Sequence, residues 1–248
     1  MGLKQSLLFF GIPTLVAGLS FHMLMPELIR RGMLPYTAYS LGLGLPLAGL
    51  VIASLVALRL EGYPLTWPAL RERFRLHPMT GRDWLWTLVG FVVQMAIWFG
   101  LQQATARLVA ADLIPIPNTL PAFIDPRNTV DAALYSEAAG GLQGNWGFLL
   151  TTAAVLVANI LGEEFWWRGM ILPRQELAFG ERTWRVHGAM WTLFHSFIWW
   201  NLLNLLPLCI GLALVVTRRK NTTAGLVMHL LQKADFFFAV LPLFFWGA

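Results

Sequence analysis

Leu161-Gly-Glu-Glu-Phe-Trp-Trp-Arg-Gly-Met170 sets two adjacent carboxylates and an arginine at the end of a long apolar run. Ionised side chains inside a membrane segment are costly, so they mark either function or a dedicated partner. The reading of the chain turns on whether that run crosses a bilayer. Its 23 residues, 146 to 168, suffice at roughly 1.5 Å per residue. Hydrophobic residues make up 57% of the 248, charged ones only 12%, and the mean hydropathy is +0.60. Charges gather in short clusters between runs of spanning length, whereas a barrel would alternate in segments of about ten residues. The expected fold is all-α, a polytopic transmembrane helical bundle forming a single membrane domain over 1–248, with its catalytic core at about 146–240.

Spans are expected near 5–26, 37–58, 84–106, 146–168, 186–206, 207–217 and 222–246, roughly seven in all, with an eighth, re-entrant or interfacial helix left open. Pro207 is expected to separate the fifth from the short sixth, because proline removes a backbone donor and disfavours helix in the residue before it. Met1-Gly-Leu-Lys-Gln-Ser6 formally fits a myristoylation pattern, and Lys4 before an apolar run resembles a signal peptide. The run continues to Met25, longer than a signal core, and so counts as the first span.

A net charge of +5 and a pI of 9.9 could suggest a nucleic-acid partner, but membrane topology accounts for the basic residues, and none is expected. With the N-terminus inside, Lys4, Arg59, Arg71, Arg73, Arg75, Arg82, Arg174, Arg182, Arg185, Arg218, Arg219 and Lys220 fall on the cytoplasmic side, and Arg30, Arg31 and Arg127 outside. Twelve against three favours a cytoplasmic N-terminus and an outside C-terminus, as expected of an integral protein of a bacterial cytoplasmic membrane. Residues 59 to 83 mix arginines with apolar residues and read as an interfacial segment held by anionic lipid. Residues 111 to 145 form a long outside loop that caps the bundle or merely connects it. Cys209, the single cysteine, is read as a small buried or lipid-facing residue.

Three spans carry polar groups where apolar ones would cost less: Glu163, Glu164 and Arg168; His195; and His229 with Gln232 and Lys233. Glu163 lies eleven residues from Arg174, His195 ten from Arg185 and His229 nine from Lys220, so all three reach a level about 15 Å from the basic end. This predicts a polar chamber opening toward the cytoplasm. Glu164 and Arg168 share a helix face as an acid-first pair, while Glu163, about 100° away, is free to face a water. Two histidines and a glutamate activate water in either of two ways. Glu163 acts as general base with histidines orienting the water, or His195, His229 and Glu163 hold a divalent metal such as zinc. Composition leaves both open. His22, His77 and His187 lack such company and read as structural or interfacial.

Glu163-Glu-Phe-Trp-Trp-Arg168, with Trp191-Thr-Leu-Phe-His195 and Thr223-Ala-Gly-Leu-Val-Met-His229, resembles the EExxxR, FxxxH and late-histidine motifs of the CPBP family, the CAAX-protease and bacteriocin-processing intramembrane endopeptidases, also called Abi. The resemblance covers about 155 to 235. It implies that Glu163 and His195 activate the water, that His229 stabilises the oxyanion, and that Glu164 and Arg168 support the site. Trp191 stands in place of the usual Phe, and Lys233 where the family often has Asn. The implied activity is hydrolysis of a peptide bond in a hydrophobic or lipidated peptide, or a membrane-protein segment, near the cytoplasmic leaflet of the lipid bilayer. A non-catalytic scaffold or immunity protein of the same fold, and more distantly a transporter, are the alternatives.

Overall fold

A computed structural model describes residues 1–129, 131–233 and 241–246. Among them every regular element is helical. The elements are α1 (Leu3–Leu19), α2 (Met25–Arg30), α3 (Pro35–Leu60), α4 (Trp67–Arg73), α5 (Gly81–Ala110), α6 (Ala132–Ala139), α7 (Trp146–Glu163), α8 (Leu172–Phe179), α9 (Thr183–Phe194), α10 (Leu202–Arg219), α11 (Thr222–Leu231) and α12 (Leu241–Trp246). Among the described residues four helical runs are long and apolar enough to cross a membrane: Leu3–Arg30, Pro35–Leu60, Gly81–Ala110 and Trp146–Arg219. Large apolar side chains such as Leu15, Ile52, Val92 and Phe99 stand exposed along the first three, as lipid-facing surfaces do. The protein is therefore a helical bundle of the integral-membrane kind. Residues 234–240 of the expected last span lie outside the described residues.

The run Trp146–Arg219 is folded rather than straight. Gly180, at a φ of +54°, turns the chain after α8, a conformation that glycine adopts without a Cβ penalty. The return corner corrects the expected boundary at Pro207. Pro207 lies inside α10, and the helix instead breaks at Ile198 (φ −122°, ψ 53°) within the tight 3-10 stretch His195–Asn201. The cause is local. His195 Nδ1–H donates to the Trp191 carbonyl at 2.8 Å, while the His195 backbone N–H turns to Thr192 and Leu193, so the α-ladder ends there. A Cβ on Gly188 would lie 2.8 Å from Ile210 Cα, which shows α9 and α10 packed closely either side of that corner.

The basic clusters assemble at one end of the bundle. Glu61 accepts from Arg73 at 2.5 and 2.9 Å and pairs also with Arg174. Glu176 pairs with Arg75 at 3.0 Å and Lys220 at 2.7 Å, Asp83 pairs with Arg219 at 2.7 Å, and the Met1 ammonium donates to the Arg174 carbonyl at 2.6 Å. Within the segment 59 to 83, Arg73 pairs with Glu61 of the same segment and Arg75 with Glu176 of α8, and Phe74 is fully buried against Gly169, where an added Cβ would lie 3.0 Å from the Phe74 ring. At the other end the 111–145 loop is a cap: Phe123, Ala138, Ala139 and Leu142 pack with Tyr36 and Phe148 in a small second core. The Tyr36 and Thr152 hydroxyls, 2.5 Å apart, tie α3 to α7 beside it.

Candidate active site

The carboxylates sit where α7 changes pitch. Glu163 is the last residue of α7, and Glu164 opens a π-helical stretch, Glu164–Ile171, whose eight residues are all buried. A π-helical insertion redirects side chains within a continuous helix and recurs at functional sites. Here it sends the two neighbours to different helices: Glu163 toward α9, Glu164 toward α11.

Glu163 is 3% exposed and held at both oxygens. Asn159 Nδ2–H donates to Oε1 at 2.5 Å, and the Trp191 indole N–H donates to Oε2 at 2.5 Å. His195 Nε2 lies 4.0 Å from the same Oε2. Because a carbonyl only accepts, the His195 hydrogen bond to Trp191 places a proton on Nδ1 and leaves the Nε2 lone pair of the neutral ring facing Glu163. A 4.0 Å gap is too long for a direct hydrogen bond and suits a shared water making two contacts of about 2.8 Å.

Glu164 and Arg168 are completely buried. Arg168 Nη1 lies 3.1 Å from Glu164 Oε1, and His229 Nδ1 lies 3.0 Å from that oxygen. The Arg168 guanidinium also stacks over the Trp191 ring, 3.4 Å from its centroid. One cation thus supports both halves of the site, through an ion pair on Glu164 and through the ring that donates to Glu163. Gly225 of α11 makes room for this: a Cβ there would stand 2.5 Å from Glu164 Oε2.

The three segments matched in depth by the sequence therefore meet. Glu163, Trp191, His195, His229, Gln232 and Lys233 all line one cavity of about 390 Å³. Lys233 makes no ion pair among the described residues, and Glu164 is engaged by Arg168 and His229 instead. Asn159 was not singled out from the sequence, although an amide four residues before Glu163 in an apolar helix shares its face and was a usable signal. The π-helical stretch left no such signal. His22 and His187 lie elsewhere: His22 Nε2–H donates to the Phe197 carbonyl at 2.7 Å, and His187 Nδ1–H donates to Gln175 Oε1 at 2.6 Å.

From Glu163 the cavity wall runs along Asn159, Thr152 and Phe148 and reaches Tyr36 and Asn201 beneath the 111–145 cap. On the basic side Phe74, Trp167, Arg168, Met170, Ile171 and Leu172 are fully buried, most of them side chains of the π-helical stretch and its continuation.

Tested as a metal site, the group fits poorly. Among the described residues no three imidazole, carboxylate or thiol side chains are arranged to hold an ion. Donors on one zinc approach it to about 2.0–2.2 Å, whereas Glu163 Oε1 and Oε2 already receive the Asn159 and Trp191 N–H groups.

Residues 145–234 match the family model described as Type II CAAX prenyl endopeptidase Rce1-like, in agreement with the CPBP resemblance over the same stretch. Comparisons with curated proteins and with solved structures returned no match.

Proposed function

We propose, from the match of residues 145–234 to the Rce1-like CAAX prenyl endopeptidase family model, that this protein is an intramembrane endopeptidase in which Glu163 activates the attacking water. The observation that carries the reading is the Glu163 carboxylate, fixed by an N–H donor on each oxygen and facing His195 Nε2 across 4.0 Å. A water in that gap would give one proton to Glu163 while its oxygen attacks the peptide carbonyl carbon. The carbonyl oxygen would become an oxyanion, and collapse of the tetrahedral species would break the C–N bond as Glu163 returns the proton to the leaving amine.

Donors to the oxyanion come from the α11 side. His229, with Nδ1–H given to Glu164, presents Nε2 to the chamber, so the neutral ring accepts there and donates only in another protonation state. The Lys233 ammonium, which has donors in any direction and no counter-ion among the described residues, supplies the standing positive charge. Lys233 thus takes the oxyanion role, and His229 lines the chamber beside it. The substrate class is a hydrophobic or lipid-linked peptide, or a membrane-protein segment.

The test is cleavage of a hydrophobic peptide library by purified protein, comparing the native chain with Glu163→Gln and His195→Ala. Glu163→Gln should lower the rate at least about 10²-fold, the lower end of what general-base catalysis contributes. An unchanged rate in either variant removes the assignment and leaves a scaffold or binding protein of this fold.

A further inference from the structure

An asparagine inside an apolar bundle is costly unless both ends of its amide are met. Two stand at the start of α10: Asn201, half-buried at its N-cap, and Asn204, 7% exposed one turn later. Capping does not account for Asn201. An N-cap asparagine ordinarily accepts from a backbone N–H two or three residues on, and the Asn201 side chain makes no such bond.

Its oxygen is used elsewhere, in a chain of hydrogen bonds that runs one way. Thr105 Oγ1–H, on α5 and 5% exposed, donates to Asn204 Oδ1 at 2.8 Å. Asn204 Nδ2–H in turn donates to Asn201 Oδ1 at 2.8 Å. Each link fixes the sense of the next amide, because an amide oxygen only accepts and its nitrogen only donates. With Oδ1 committed to Asn204, what Asn201 has left to offer is its Nδ2–H donors, which have no partner among the described residues. Asn201 lines the same chamber as Glu163 and His195.

From this we infer that Asn201 binds the substrate, donating Nδ2–H to a backbone carbonyl of the peptide, and that Asn204 and Thr105 are positioning residues that hold the amide in that sense. The inference rests on the endopeptidase reading for the word substrate and on hydrogen-bond direction for the contact. A neutral amide suits a neutral carbonyl, whereas a charged donor on this wall would carry a far larger desolvation cost. Asn201 ends the tight stretch that begins at His195, and six residues at about 2.0 Å each place the two at most about 12 Å apart. One bound segment can therefore touch both. Nearby hydroxyls do not compete for the donor: Thr152 Oγ1–H is given to the Phe148 carbonyl at 2.7 Å, and the Tyr36 hydroxyl lies 2.5 Å from Thr152 Oγ1. Among the described residues no part of α5 lines the chamber, so Thr105 acts only through Asn204.

The test is binding without turnover. The probe is a fluorescent pentapeptide of leucine, valine and phenylalanine, blocked at both ends, and the protein is the full-length Glu163→Gln chain in lipid nanodiscs. Losing one neutral hydrogen bond in Asn201→Ala should raise Kd about 3- to 10-fold. Asn201→Asp, which turns an oxygen to the carbonyl, should raise it at least as much. Thr105→Val, on another helix, should raise it about 2- to 5-fold, and Thr105→Ser should restore it. The decisive reading is a cycle with probes in which one backbone carbonyl at a time is reduced to CH₂. One of them should lose about 3- to 10-fold on the chain with Asn201 and nothing on Asn201→Ala, a coupling that a merely structural asparagine would not produce. Asn201→Asp binding as tightly as Asn201, no reduced probe coupled to Asn201, or no binding of the probe overturns the inference. Because turnover is not needed, a chain that binds through Asn201 yet cleaves nothing loses the endopeptidase reading alone, and one that cleaves without the coupling loses this contact alone.

Discussion

Gly225→Ala sets two opposing effects of known size against each other. Gly225 lies within α11, where replacing a helical glycine by alanine ordinarily gains up to about 1 kcal/mol. The added Cβ, however, would stand 2.5 Å from Glu164 Oε2 and 2.9 Å from Val216 Cγ2. A carbon–oxygen contact settles at about 3.3 Å, so the carboxylate must give way by roughly 0.8 Å. A surface glutamate would swing aside at little cost. Glu164 cannot, because Oε1 is held by Arg168 at 3.1 Å and His229 at 3.0 Å in a site with no exposure. Overpacking costs about 1–3 kcal/mol and breaking a buried pair outright about 3–5, so partial loss of both outweighs the propensity gain and leaves a net destabilisation of about 2–4 kcal/mol. At about 2–4 °C per kcal/mol for a chain of this size, the apparent Tm in detergent should fall by about 5–15 °C. Cleavage should fall about 10- to 100-fold as His229 shifts, since a 1 Å misplacement costs on the order of 10². Gly100→Ala is the control: nothing lies within 4 Å of its Cβ, and its Tm should be unchanged or slightly raised. A Gly225→Ala protein as stable and active as the native one would refute the packing of Glu164 against α11.

Three further outcomes are expected. Trp191→Phe keeps the ring that carries Arg168 but deletes the donor to Glu163; a hydrogen bond to a charged group contributes about 1.5–3 kcal/mol, so kcat should drop about 10- to 100-fold with KM and Tm little altered, whereas an unchanged kcat would make Trp191 a space filler. Lys233→Met should lower kcat about 10²-fold, as loss of one oxyanion donor does, and Lys233→Asn should restore most of it; equal rates in Lys233→Met and the native chain would exclude Lys233 from the chemistry. Partial burial raises the Glu61 carboxyl pKa, but the Arg73 hydrogen bond and the charges of Arg73 and Arg174 outweigh it and hold the group below the ordinary glutamate value. Its stabilising contribution is thus complete above that value and is lost as pH falls through the lowered one, so the Tm gap between native and Glu61→Gln proteins should be constant near neutrality and close in acid, and a gap that widens in acid would contradict the pairing.

What the sequence made legible and what it concealed divide along physical lines. The helical class and the meeting of Glu163, His195 and His229 were legible because hydropathy fixes where helices cross and the helical rise converts residue counts into depth. Both are one-dimensional quantities. The corner at Ile198 was not, because it comes from a side-chain nitrogen taking the Trp191 carbonyl, a choice that competes with an equally available helical bond and leaves Pro207 tolerated inside α10. The packing around the carboxylates was hidden for a related reason. Depth says how far a residue lies from an end, but not which side chains fill the space around it, and beside Glu163 that is set by the π-helical turn beginning at Glu164.

That turn also explains why two adjacent carboxylates are needed. A single glutamate could not both hold Arg168 and His229 and face His195, since its two oxygens are already used by Asn159 and Trp191. Glu164 gives the buried arginine its counter-charge, and Arg168, so held, lies flat on Trp191 and steadies the ring whose N–H donates to Glu163. In an otherwise apolar interior, an arginine with no acid beside it would cost several kcal/mol and leave the Trp191 face without its cation. Under the proposed mechanism the doubled acid separates support, at Glu164, from reactivity, at Glu163.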